Sequence, residues 1–148
     1  MKKFLLGFIV CAVAFKSFDT LALYSNKDVT ATPLLKTTST WNGAAIAYPS
    51  GTPEVSAMIV EIAAGGETGW HLHTAPSVAI ILEGEIVAEL KDGTSKPFKK
   101  GDALAEVVNT LHNGRNKGTV PAKLAVFYAG ASGLGLTVSE DPAAKPAL

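Results

Sequence analysis

At 148 residues the chain fits one domain with its own core, and 47% hydrophobic against 18% charged residues excludes a disordered chain. Thirteen basic and thirteen acidic side chains cancel to a net charge of zero, without a basic run or aromatic-basic interleaving, which removes the electrostatic footprint of a nucleic-acid binder. The single cysteine, Cys11, has no partner for an internal disulfide.

Residues 1–22 have the pattern of a secretory signal peptide. Lys2 and Lys3 precede an apolar run from Phe4 to Phe15, and small-residue cleavage sites follow at Ala14 and Ala22. The run is shorter than the ~20 residues a bilayer-crossing helix needs. Val10 before Cys11 stands where a lipoprotein signal wants a small residue. The expectation is a secreted or periplasmic protein. Cleavage after Ala22 removes Lys2, Lys3, Lys16 and Asp19 and leaves ten basic and twelve acidic residues, 10 − 12 = −2, with no cysteine. No basic amphipathic helix remains, so no membrane partner is expected once the signal is gone.

Residues 23–55 are expected to supply edge segments, because Pro33 and Pro49 suit strand ends and sheet edges. From Ser56 the chain reads as short strands. SAMIVEIAAGG places Met58, Val60 and Ile62 on one face and turns at Gly65-Gly66. SVAIILEGEIVAELKDG gives two strands around a turn at Glu83-Gly84, the second with Ile86, Ala88 and Leu90 opposite Glu85, Val87 and Glu89, and then a tight turn at Asp92-Gly93. KPFKKGDALAEVVN, LHNGRN and AKLAVFYAG continue the series. The sequence therefore predicts an all-β barrel or sandwich in a single domain over residues 56–138, with a flexible Ala- and Pro-rich tail over 139–148.

His71 and His73 are two of three histidines in the chain. On a strand, residues i and i+2 project from the same face about 7 Å apart, so both imidazoles can face one metal ion. Two imidazoles specify little, and a third ligand must come from elsewhere. The third histidine is His112, in NTLHNGRN. Trp70 is expected to pack, or in a second reading to wall a pocket beside His71.

GGETGWHLHTAPSVAIILEG followed by GDALAEVVNTLHNGRN resembles the two signature motifs of the cupin superfamily. The family's first motif runs from a glycine through His-x-His and a glutamate to a second glycine. Gly65, His71, His73 and Gly84 match it, while Ser77 stands in place of the glutamate. The second motif is matched by Gly101, His112 and Asn116, with Val107 and Asn109 replacing its proline and glycine. The resemblance implies a jelly-roll β-barrel with a divalent transition metal inside, held by His71, His73 and His112. It also implies a small-molecule ligand or substrate and leaves open a homodimer paired through the sheets.

Glu106 lies among apolar neighbours six residues before His112. A buried carboxylate needs a partner or a metal, so Glu106 is the candidate to supply the carboxylate that position 77 lacks. Its alternatives are a hydrogen bond to a ligand imidazole, a general base, or a solvated strand end. Arg115 is read as a rim charge and Asn116 as a turn-fixing amide. Iron or manganese would suit a dioxygenase-like oxidoreductase, zinc or nickel Lewis-acid isomerisation or hydrolysis, and copper would compete for any imidazole site. Non-enzymatic binding of a metal, sugar or small metabolite is the alternative, and histidines that only pack the barrel a third.

Overall fold

Period-two alternation becomes strand throughout the computed structural model, which describes residues 25–141 and 143. Residues 1–22, expected to be a signal peptide, with Cys11, and most of the tail after Asp141 lie outside the described residues. The described residues contain no helix, and so none long and apolar enough to cross a membrane.

Residue contacts divide the chain after Pro33. In the first unit, β1 (Ser25–Asn26) and β2 (Val29–Thr30) form a small antiparallel hairpin. The second unit, from Leu34 onward, carries the two main sheets. β3 (Pro53–Ile62), β10 (Ala122–Ala131), β5 (Ser77–Glu83) and β8 (Ala103–Ala105) lie side by side in that order. The second sheet orders β11 (Thr137–Ser139), β4 (His71–His73), β9 (His112–Arg115), β6 (Glu85–Leu90) and β7 (Ser95–Lys99). All pairings within both sheets are antiparallel, giving the jelly-roll barrel expected from the sequence.

Inward faces follow the alternation. Ile86, Ala88 and Leu90 of β6 are buried, as are Leu124, Val126 and Tyr128 of β10, and they join Ile62, Ile81, Phe98 and Leu104 in the core. Each buried aliphatic side chain contributes roughly 1.5–3 kcal/mol, so packing stabilises this fold without a disulfide.

Turn chemistry sets the register of the strands that carry the histidines. Gly84 has φ +69°, and a Cβ there would lie 2.7 Å from the Pro121 carbonyl oxygen, so both conformation and close approach require glycine. Asn109, which replaces the motif's second glycine, has φ +50°; among the described residues no other non-glycine has positive φ. Asparagine tolerates this left-handed conformation better than other side chains. The turn thus survives the substitution, and the Asn109 N–H donates to the His73 carbonyl at 2.8 Å.

Residues 34–50 form no strand and instead make a turn closed by the Ser39–Ala45 bridge. The Trp41 N–H donates to the Ala105 carbonyl at 2.8 Å, and its side chain packs against the core. The segment thereby covers part of the open edge of β8, where an exposed row of backbone groups would otherwise recruit another strand.

Candidate metal centre

His71 and His112 are direct cross-strand partners on β4 and β9, so their rings project into the barrel from one face, with centroids 4.3 Å apart. His73, two residues along β4, adds the third ring at 4.9 Å from His71 and 4.8 Å from His112. One nitrogen from each ring falls within a cluster whose members lie no more than 4.8 Å apart. His73 and His112 are buried and His71 is half-buried.

Backbone carbonyls fix two of these rings. The His71 Nδ1 lies 2.8 Å from the Gly69 carbonyl and the His112 Nδ1 2.9 Å from the Thr110 carbonyl. A carbonyl only accepts, so each Nδ1 carries the proton and each Nε2 keeps its lone pair. His73 is held by hydroxyls: Thr137, its partner on β11, places Oγ1 3.2 Å from Nδ1, and the Tyr128 hydroxyl lies 3.5 Å away. Burial, reinforced by the neighbouring His112 ring, holds the His71 pKa down at about 4, against its ordinary 6.5. A neutral imidazole is the form that binds a metal.

The opposite wall supplies the carboxylate. Tyr128 on β10 pairs with Ser77 on β5, and the Glu106 N–H donates to the Ser77 carbonyl at 3.0 Å from just past β8. Tyr128, Ser77 and Glu106 therefore form a row across the four-stranded sheet, facing the histidines. The Glu106 Oε2 lies 3.0 Å from the His73 Nε2 and 3.3 Å from the His112 Nε2. The second contact lacks hydrogen-bond geometry, which leaves the His112 Nε2 buried without a partner. Burial alone would raise the Glu106 pKa; the imidazoles of His112 and His73 outweigh it and hold the group below the usual carboxylate range.

These residues fit a divalent metal. Inward Nε2 lone pairs on His71 and His112, the Glu106 carboxylate, and a His73 Nε2 that donates to that carboxylate and would give up its proton to a metal form a donor set of the type that takes transition metals. His71, His73 and His112 are brought together as the sequence predicted, and Glu106 is brought against two of them. Ser77 is buried with its Oγ unpartnered by protein.

A cavity of about 70 Å³ lies among the donors, lined by Val60, Ile86, Leu104 and Val126 as well as the site residues. It adjoins a mouth of about 400 Å³ that His71, His73 and Tyr128 also line, between β3 and β11. Trp70 lines neither; Lys91 sits over its ring at 4.1 Å. Asn116 fixes loops, donating to the Ile62, Ala63 and Val120 carbonyls. Arg115 is held between Glu67 and Glu89.

Sequence reasoning missed Tyr128, Thr137 and Asn113. Asn113, fully buried at the cavity, donates to Glu67 at 2.8 Å. A tyrosine on the inward face of an otherwise aliphatic strand was the available signal, because its hydroxyl needs a partner.

Residues 58–128, which carry all four candidate ligands, match the Cupin_2 cupin domain family. The barrel has the cupin fold. Solved structures of similar fold include the DMSP lyase DddQ from Ruegeria pomeroyi DSS-3, at 22% identity and TM-score 0.52, covering 62% of this chain and 45% of that one. The Lactobacillus farciminis oxalate decarboxylase formate complex is similar at 22% identity and TM-score 0.51, over 58% of this chain and 26% of that one. A double-stranded beta-helix protein from Klebsiella pneumoniae subsp. pneumoniae MGH 78578 matches at 17% identity and TM-score 0.51, over 65% and 91%. At such identities the likeness shows the cupin fold alone. This chain spans less than half the length of the lyase and the decarboxylase it resembles. No match was found among curated protein sequences.

Proposed function

We propose that this cupin is exported and binds one divalent transition metal through His71, His73, His112 and Glu106, serving as a metal-dependent oxidoreductase for a small organic molecule. The observation that carries the reading is the convergence of three imidazole nitrogens, two of them against Glu106, with Nδ1 of His71 and His112 tied to the Gly69 and Thr110 carbonyls. Such hydrogen bonds orient ligand rings and raise their basicity. A bound ion would supply Lewis acidity and open coordination positions for water, dioxygen or a chelating substrate.

The chain's own residues divide the remaining tasks. Apolar walls from Val60, Ile86, Leu104 and Val126 exclude bulk water, which strengthens every charge interaction in the cavity. Tyr128 keeps its proton, because burial, partly offset by Thr137 and reinforced by the Glu106 charge, pushes its pKa up to about 12. It is therefore a hydrogen-bond donor at neutral pH. The donor set admits iron, manganese, zinc, nickel or copper.

One observation favours the second reading, non-catalytic binding of a metal or small molecule. Glu106 already faces two imidazoles, which leaves the lumen no carboxylate free to act as an independent base. Exposed Val55, Ile59 and Phe127 on the outer face of the four-stranded sheet support pairing of two copies, which light scattering would read as a doubled mass.

The test is elemental mass spectrometry of the mature exported protein and of His112→Ala. The expected result is about one equivalent of a transition metal in the first and its loss in the second. Absence from both after reconstitution would overturn the metal reading. Intact mass of the same sample reports cleavage after Ala14 or Ala22, and retention of residues 1–22 would overturn the export reading.

A further inference from the structure

We infer that the ligand entering this site is an uncharged small molecule with an apolar flank, not a carboxylate anion such as oxalate; the inference rests on the metal-binding reading above.

Two walls of unlike chemistry form the mouth. Met58, Val60 and Ile62, at i, i+2 and i+4 on β3, present a hydrocarbon surface. Thr137 and Ser139 of β11 face them with hydroxyls, and Tyr128 lies between. A molecule matching this mouth has an apolar side toward β3 and neutral oxygens toward β11.

Charge decides against an anion. Among the described residues no lysine or arginine lines either the mouth or the inner cavity. The two cations near the rim are already held by carboxylates, Lys123 Nζ 2.9 Å from Glu61 and Arg115 Nη1 2.6 Å from Glu67. The fixed protein charge at the floor is the Glu106 carboxylate, which offsets half the charge of a bound divalent ion and weakens its pull on a dianion. An incoming dianion must therefore lose its hydration among Val60, Ile62, Leu124 and Val126 without a protein counter-charge. An uncharged chelator avoids that cost and gains from burying its apolar flank.

The experiment loads the full mature protein with cobalt(II) and follows its visible absorption while titrating maltol or oxalate. Both are bidentate oxygen chelators; maltol enters uncharged at pH 7 and releases its hydroxyl proton to solvent as it chelates, whereas oxalate enters as a dianion. Each apparent constant is divided by that chelator's constant for free cobalt. Normalised affinity for maltol is expected to exceed that for oxalate by about tenfold or more. In Met58→Lys, at a half-buried position on the mouth, oxalate affinity should rise several-fold while maltol changes less. Equal or tighter normalised binding of oxalate to the unmodified protein would overturn the inference and leave the metal reading standing. Absence of a cobalt spectrum would overturn the metal reading first, and this inference with it. Should Met58→Lys not fold, Ser139→Lys on the opposite wall gives the same comparison.

Discussion

Ser77 and Glu106 stand side by side on the inner face of the four-stranded sheet, joined by the hydrogen bond from the Glu106 N–H to the Ser77 carbonyl. Position 77 is where the cupin motif carries a glutamate, and its neighbour across the strand gap carries one here. A lateral shift of one strand, about 4.8 Å, is within reach of a glutamate side chain. The small serine leaves room for the Glu106 carboxylate to reach His73 and His112. The acid has moved one strand over while remaining at the same histidines.

Exchange of the two residues should therefore conserve the site. Glu106→Ala is expected to weaken metal affinity about 10–100-fold, the usual scale for losing a carboxylate at or beside a ligand. Adding Ser77→Glu to Glu106→Ala should recover most of that loss in a competition titration with a chromogenic chelator. Unchanged affinity in Glu106→Ala would remove the carboxylate from the proposed ligand set.

Acid should destabilise the metal-free fold in a defined window. The His71 pKa is lowered from 6.5 to about 4 on folding, so between those values the unfolded chain binds the extra proton. Stability then rises with pH across the window and falls as pH drops through it. Glu106 adds to the effect at lower pH: its folded pKa is depressed, so its contribution is present above the unfolded carboxylate value and lost as pH falls through the folded one. Urea unfolding at several pH values should show the slope between pH 6.5 and 4, and His71→Asn should flatten it. An unchanged slope in His71→Asn would assign the proton uptake elsewhere.

Gly84 and Asn109, both in left-handed turns, should each lose stability to alanine, and Asn109 should tolerate glycine. Gly84→Ala introduces a Cβ 2.7 Å from a backbone oxygen at φ +69°, and a loss of about 2 kcal/mol or more is expected. Asn109→Gly keeps φ +50° accessible and should change stability by a few tenths of a kcal/mol, whereas Asn109→Ala should cost about 1 kcal/mol. Chemical denaturation of the three variants checks the order.

The histidine face was readable because strand geometry converts His71-x-His73 directly into two rings on one side, and the spacing of His112 and Asn116 matched a known motif. Glu106 was singled out by its apolar neighbours together with the serine at position 77, and it lies against His73 and His112. What the sequence did not reveal is non-local. Thr137 meets His73 only through the β11–β4 pairing of residues far apart in the chain, and Tyr128 reaches His73 only because two sheets pack face to face. Residues 23–55 were expected to supply edge segments on the strength of two prolines. Within them, residues 34–50 make a turn instead, and the Trp41 side chain packs against the core. Periodicity identifies a face; it does not identify the face opposite.

Tyr128 gives the sharpest test of that cross-sheet contact. Its hydroxyl is buried with Thr137 on one side and the His73 Nδ1 3.5 Å away, at the ring nitrogen that does not face Glu106. The phenol thus acts through the orientation of His73 and makes Tyr128 a positioning residue. Tyr128→Phe removes one buried hydroxyl and should lower stability by about 1 kcal/mol. If the hydroxyl orients the ring, metal affinity falls with it, by less than in His112→Ala, and Thr137→Ala shows the same loss because it frees the same nitrogen. A purely packing role predicts lower stability with unchanged metal affinity in Tyr128→Phe. Measuring both quantities on one sample separates the two.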